Sequence, residues 1–203
     1  VVLGKPVKWV EDRSENLQAD SFARDYHMTV EMAASKEGKM EALRIKTIAD
    51  HGYTDAACNP SKYPAGMFSI CTGSYDIKTA FTEMDAYYTN KPPGGIAYRC
   101  SFRVTEAVHA IERIVDVLAK KLDRDPAELR FQNFIQPDEF PYKSALGWEY
   151  DSGDYPRALK LAMDKIGYED LRKEQLIKRS KGELMGIGIC SFTEIAGAGP
   201  SKD

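Results

Sequence analysis

Three observations predict an α+β fold. From Val104 the apolar residues Val104, Val108, Ile111, Val115, Leu118 and Leu122 recur at alternating steps of four and three, which is one face of an α-helix. Two β-rich runs, Tyr26–Ala34 and Met40–Ala49, flank the turn Lys36-Glu37-Gly38-Lys39, the pattern of a hairpin. Asp125-Pro126-Ala127-Glu128 joins an N-cap aspartate, a proline at the first helical position and an acidic first turn, so a second helix opens there.

The elements follow in chain order. Val7–Val10 reads as a short strand, and Tyr26–Ala34 with Met40–Ala49 as the hairpin. Asp55–Gly73 is loop-like, broken by Asn59-Pro60, Tyr63-Pro64 and Gly66. Ile77–Tyr88 holds a further strand, with Ile77, Thr79, Phe81 and Glu83 on one side in imperfect alternation. Asn90–Gly95 is turn-rich and leads to a cysteine-bearing stretch before the long helix, Val104–Leu122. The helix opened by Asp125 runs to about Phe134, and Asp138–Asp151 is an extended aromatic loop. Asp154-Tyr155-Pro156 opens a helix that Gly167 ends. Glu169–Arg179 is a charged, exposed helix suited to docking, and Glu183–Ile195 reads as a glycine-rich terminal strand. No repeat, low-complexity run or linker divides the 203 residues, which suffice for one domain.

Composition excludes several functions. The chain is 43% hydrophobic and 29% charged, with net charge −3, so nothing favours nucleic acid or an anionic membrane as partner. No apolar run approaches the ~18–20 residues of a helical membrane span. The four cysteines, Cys58, Cys71, Cys100 and Cys190, form no Cys-x-x-Cys, so zinc-ribbon and iron–sulfur ligation lack support and reduced cytosolic thiols are expected. His27, His51 and His109 lack metal spacing and read as surface or packing residues. Glu149, Asp151 and Asp154 read as a solvated loop, and Gly186-Ile187-Gly188 as strand with close backbone packing rather than a dinucleotide fingerprint. Cys58, Cys71 and Cys190 read as packed, inert thiols.

The chemistry concentrates in Ala97-Tyr98-Arg99-Cys100-Ser101-Phe102-Arg103. Ser101 is a candidate N-cap, so Cys100 falls at or just before the start of the long helix. Free backbone N–H groups, the positive dipole end and the flanking Arg99 and Arg103 each lower a cysteine pKa. Gly94 and Gly95 permit close approach of a bulky ligand. Residue spacing leaves two readings open. One is a thiolate, a soft ligand that selects soft metals such as Cu(I). The other is a small core cysteine at the end of a loop.

The same residues carry a resemblance. Ala97–Arg103 resembles the active-site loop of the form I aerobic carbon monoxide dehydrogenases, in their large, molybdenum-binding subunit. Form II relatives carry Ala-Tyr-Arg-Gly-Ala-Gly-Arg there, so Cys100, Ser101 and Phe102 are the discriminating residues. Lys5–Arg13, Ser21–His27, Ile70–Asp76, Leu146–Gly153 and Phe192–Ile195 are similar to that subunit too, so the likeness spans the chain.

The resemblance implies that 1–203 is part of the molybdopterin-binding domain of a molybdenum hydroxylase in the xanthine oxidase/aldehyde oxidase superfamily. The ends, Val1-Val2-Leu3-Gly4 and Pro200-Ser201-Lys202-Asp203, read as those of an internal fragment. It implies oxidation of CO with water to CO2 at a Mo–S–Cu centre, built from molybdopterin cytosine dinucleotide and sulfido-bridged Cu(I). Cys100 would ligate copper and Phe102 would cap the copper pocket. Ala97, Tyr98, Arg99 and Ser101 would line the metal–pterin pocket, and Arg103 would set the loop position. Electrons would pass to a small Fe–S subunit, a medium FAD subunit and a quinone, in a dimer of heterotrimers. The location implied is cytoplasmic, in solution or at the inner face of the membrane. Two other functions fit part of the pattern: a copper-free aldehyde- or purine-type hydroxylase, and a docking segment without chemistry.

Overall fold

The computed structural model describes residues 2–19, 25–53, 69–91 and 104–193. Its order is α1 (Arg13–Ala19), β1 (Tyr26–Ala34), β2 (Met40–Asp50), β3 (Thr79–Tyr87), α2 (Val104–Lys121) and α3 (Pro126–Asn133). A 3-10 turn (Pro137–Glu139), β4 (Tyr142–Lys143), β5 (Glu149–Tyr150), α4 (Tyr155–Ile166) and α5 (Tyr168–Ser180) complete it. The expected α+β mixture is therefore present.

A three-stranded sheet, ordered β1-β2-β3, forms the base. β1 and β2 pair antiparallel, and β3 lies parallel to β2 on its other side. Period-2 alternation sends Leu43, Ile45, Thr47 and Ala49 of β2 into the core. The opposite face is solvated, and its ion pairs follow the register: Arg44 meets Glu31 at 3.4 Å and Glu83 at 3.5 Å. In β3 the inward residues are Ala80, Thr82 and Met84, while Phe81 is exposed. Buried Ile77 lies before the strand and outside its alternation, which is why the alternation is imperfect when read from Ile77.

The long helix α2 packs against the sheet. Its most buried line is Val104, Ala107, Ile111, Val115 and Ala119, with Val108, Leu118 and Leu122 at the margins. Alanines on the centre line bring the helix close to its neighbours. Segment 70–77 is buried throughout and forms the hub of the core. It bridges Tyr75 to Phe134, and Gly73 adopts φ +59° with Ile111 Cγ2 only 3.2 Å from where a Cβ would stand. Tyr150 donates to the Gly73 carbonyl at 3.1 Å.

The helix caps match the sequence. The Asp125 side chain accepts from the Ala127 N–H at 2.7 Å, and Gly167 ends α4 at φ +67°. Four expectations are corrected. Residues 6–12 form no strand; Val7, Trp9 and Val10 are exposed and have no strand to pair with among the described residues. Helix α1 was not foreseen, although Asp12 and Glu15 cap it reciprocally at 2.8 and 3.0 Å. The aromatic loop 138–151 contains the β4–β5 hairpin, whose Tyr142 and Tyr150 face the core.

The fourth correction concerns residues 183–193, which form no strand. Side chains hold this segment instead: Gln175 Nε2 donates to the Met185 carbonyl at 2.8 Å, and Arg130 Nη2 to that of Ile189 at 3.2 Å. A Cβ at Gly186 or Gly188 would meet nothing within 4 Å, so close packing does not explain those glycines.

Candidate functional site

The sheet and α2 supply the two roots of the cysteine-bearing stretch. β3 delivers the chain to Lys91, and α2 receives it at Val104. Ala97, Tyr98, Arg99, Cys100, Ser101, Phe102 and Arg103 lie outside the described residues, as does Cys58.

The strand-side root is tightly bonded. The parallel pairing of β2 with β3 continues beyond both strands: His51 N–H donates to the Tyr87 carbonyl at 2.9 Å, Thr89 N–H to that of Gly52 at 2.8 Å, and Tyr53 N–H to that of Lys91 at 3.0 Å. The Asp50 carboxylate crosses this ladder. Its Oδ1 accepts from Gly52 N–H at 2.8 Å and from Thr89 Oγ1 at 2.7 Å, and its Oδ2 pairs with Lys91 Nζ at 3.0 Å. Lys91 Nζ also pairs with Asp25, whose carbonyl accepts from Asp50 N–H at 3.1 Å. Burial pushes the Asp50 carboxyl up, but the bonds from Gly52, Thr89 and Lys91 outweigh it and hold it below its ordinary value.

The helix-side root starts in the core: Val104 is 2% exposed. The sequence reading counted positive influences on Cys100 and missed an opposing one. Glu106 is buried in the first turn of α2 and accepts from Thr105 Oγ1 at 2.6 Å, so an acidic group already meets part of the helix's positive end. Its position in the first turn was legible; its burial was not.

The other candidates separate clearly. Cys71 is buried, and burial pushes its thiol up to about 12. Cys190 is exposed, which corrects the packed reading; partial burial and the charge of Glu112 still push its thiol up. Neither favours a thiolate. His27 and His109 line one groove of about 390 Å3 with Arg113, while His51 is buried elsewhere. Asp154 caps α4 by accepting from Arg157 N–H at 3.0 Å, and Asp151 accepts from Ser152 N–H at 2.7 Å. No cluster of three or more His, Cys, Asp or Glu capable of holding a metal occurs among the described residues.

Sequence reasoning also missed a buried ionic centre behind α2. Glu112 Oε2 accepts from Arg130 Nε at 3.0 Å, Arg130 Nη2 at 2.8 Å and Ser191 N–H at 2.9 Å, while Oε1 accepts from Tyr75 OH at 2.5 Å. Arg130 Nη1 pairs with Asp116 at 2.9 Å. Burial and the adjacent carboxylate raise the Tyr75 phenol well above its ordinary value. Glu112 lies beside the apolar stripe and reads as a surface residue by periodicity, so only the fold reveals the centre.

A mixed three-stranded sheet under one long helix does not by itself assign a function, and comparison with known proteins defines the class. Residues 1–134 match the molybdopterin cofactor-binding domain, and the chain belongs to that family. It is 61% identical over its whole length to the carbon monoxide dehydrogenase large chain of Afipia carboxidovorans, and 57% identical to that of Hydrogenophaga pseudoflava. Both matches cover 26% of the relative, so the chain spans about a quarter of their length. The crystal structure of the Cu,Mo-CO dehydrogenase in its carbon monoxide-reduced state superposes with TM-score 0.90 and 62% identity, over 99% of this chain and 26% of that one.

Proposed function

We propose that residues 1–203 are part of the molybdenum-cofactor domain of an aerobic CO dehydrogenase large subunit, with Cys100 as its copper ligand. One observation carries this reading: Ala97-Tyr98-Arg99-Cys100-Ser101-Phe102-Arg103 stands in a chain 61% identical to a CO dehydrogenase large chain. The donor chemistry agrees. Of the cysteines whose surroundings are described, Cys71 is held protonated by burial and Cys190 is shifted the same way. Cys100 alone combines flanking arginines with the approach to a helix start, the setting that yields a soft thiolate for Cu(I).

When bound, molybdopterin cytosine dinucleotide with sulfido-bridged Cu(I) supplies a soft metal for CO and an acceptor for the electrons released as CO and water become CO2. The residues of this chain bind and orient it. Cys100 holds copper, and Phe102 restricts the pocket to small diatomics. Ala97, Tyr98, Arg99 and Ser101 line the metal–pterin pocket, and Arg103 fixes the loop. Electrons would leave through a small Fe–S subunit and a medium FAD subunit to a quinone, within a cytoplasmic dimer of heterotrimers.

The test is Cys100→Ser in the intact complex, read by metal analysis and CO oxidation. Copper and CO oxidation should vanish while molybdenum stays. A complex that holds no copper and hydroxylates an aldehyde or purine equally well with Cys100→Ser would instead indicate a copper-free hydroxylase, and copper content unchanged by Cys100→Ser a docking segment. The 203 residues alone should be inactive toward CO; copper-dependent CO oxidation by them would refute the reading that they form only part of the cofactor domain.

A further inference from the structure

β1 is an outer strand of its sheet, in the order β1-β2-β3. The Asp50 N–H bonds the Asp25 carbonyl at 3.1 Å, which sets the phase of the antiparallel ladder. His27, Thr29 and Glu31 therefore bond to β2, and Met28, Val30 and Met32 turn their N–H and C=O groups to the other side, where no described strand takes them. A groove of about 390 Å3 runs beside this edge, between β1 and α2. Its helix wall is His109, Ala110, Arg113, Ile114 and Val117, which steps of four place on one face. Met28 and Val30 line the strand wall. The groove is thus apolar inside, with a guanidinium and imidazoles along it. No Asp or Glu lines it, and the Arg113 side chain has no ion pair or hydrogen bond among the described residues.

A long open strand edge is a template for pairing, and folded proteins cover or blunt it. An edge strand beside a groove takes an extended peptide as an added strand: main-chain bonds hold it, and alternate side chains enter the groove. Here those side chains would be apolar, with a carboxylate to meet Arg113. We propose that the β1–α2 groove is the docking site of an extended segment of the same large chain, from outside residues 1–203, which adds a strand to β1 and sets an Asp or Glu against Arg113. The proposal rests on the reading of this chain as part of a CO dehydrogenase large subunit. The chain covers 26% of its curated relatives, so most of such a subunit lies outside it. A segment tied to the groove by its own backbone reaches it at a high effective concentration, ahead of a separate subunit.

The experiment uses the intact complex. A benzophenone photo-cross-linker in place of Val117 should, on irradiation, join the groove to a large-chain peptide outside residues 1–203 that carries Asp or Glu, as mass spectrometry would show. In hydrogen exchange the outward amides of β1 should be protected in the unsubstituted complex and in Arg113→Lys. They should exchange about tenfold faster or more in Arg113→Glu, because juxtaposed like charges cost more than a factor of ten. A cross-link to another subunit, or one confined to residues 1–203, would overturn the proposal. So would fast exchange along the β1 edge of the unsubstituted complex, or equal exchange in R113E and R113K. The CO dehydrogenase reading fails separately: full copper after Cys100→Ser would overturn that reading whatever the cross-link joins.

Discussion

Removing Glu112 is the sharpest test of the packing argument. Arg130 has a fully buried side chain, and Glu112 is 7% exposed there. Glu112→Ala would withdraw the acceptor for two guanidinium bonds, the Tyr75 hydroxyl and the Ser191 amide. Asp116 would remain, but at 36% exposure and on a different nitrogen, Nη1. Breaking a buried pair from one side costs about 3–5 kcal/mol, because the other charge stays desolvated. For a chain of this size each kcal/mol lowers the midpoint by about 2–4 °C, so the melting temperature should fall by roughly 6–20 °C. Replacing the centre by Glu112→Leu, Arg130→Met and Tyr75→Phe should recover part of that loss, since no fully buried charge or hydroxyl is then stranded and Asp116, at 36% exposure, keeps its access to water. Calorimetry and urea titration of the unsubstituted protein, Glu112→Ala and the triple variant would measure this. A Glu112→Ala cost below about 1 kcal/mol, the worth of an exposed pair, would refute the reasoning. So would a triple variant less stable than the single one.

Other predictions follow from single observations. Gly38→Ala should cost more than Gly167→Ala: both have positive φ, but a Cβ at Gly38 would stand 2.9 Å from Leu129 Cδ1, whereas Gly167 has nothing within 4 Å. Denaturant midpoints should show about 1–2 kcal/mol at Gly167 and a larger loss at Gly38. Asp125→Ala should exceed an ordinary cap loss of about 1 kcal/mol, because Asp125 also accepts from Tyr168 at 3.0 Å and pairs with Arg172 at 2.9 Å. Cys71 should resist iodoacetamide at pH 8 in the native protein and label on unfolding, as mass spectrometry would show. Burial raises Cys71 from 9.0 to about 12 and Tyr168 from 10.0 to about 12 in the folded state. The native state therefore binds these protons more tightly, so their contribution is intact below pH 9 and is lost as pH rises through that window. An alkaline titration of stability that stays flat from pH 9 to 12 would contradict it.

The parts of the fold that sequence reading recovered are those whose signal is local. Asp125-Pro126 and Gly167 mark helix ends by their own backbone chemistry, and the hairpin carries its turn between two β-rich runs. What it lost depends on partners distant in sequence. Val7–Val10 has strand-like residues but no strand to pair with among the described residues, and 183–193 gives its bonds to the side chains of Arg130, Gln175 and Glu112. The buried Glu112–Arg130 centre and the Asp50–Lys91 pair join residues 18 and 41 positions apart, and no periodicity announces either. The candidate site divides the same way. Cys100 and its flanking letters point to soft-ligand chemistry by identity alone and lie outside the described residues, while the bonding at Lys91 and the burial of Val104 on either side needed the sheet and the helix.

That division says where specificity resides. Segment 70–77, the α2 alanines and the Glu112–Arg130 centre account for a scaffold, with their side chains buried among the described residues. Packed interiors tolerate little change in volume, which ties such a scaffold to one architecture while leaving its chemistry open. The form I and form II loops differ at the positions of Cys100, Ser101 and Phe102, and only the first of these is a soft ligand. A scaffold of this kind can therefore change reaction by exchanging a few loop residues, provided the loop roots stay fixed. On this reasoning Cys100→Gly alone should abolish copper binding and leave the melting temperature unchanged, whereas Glu112→Ala should lower the melting temperature and leave the chemistry of the thiolate unaltered. A shared effect of both variants on both readouts would show that scaffold and loop are not separable.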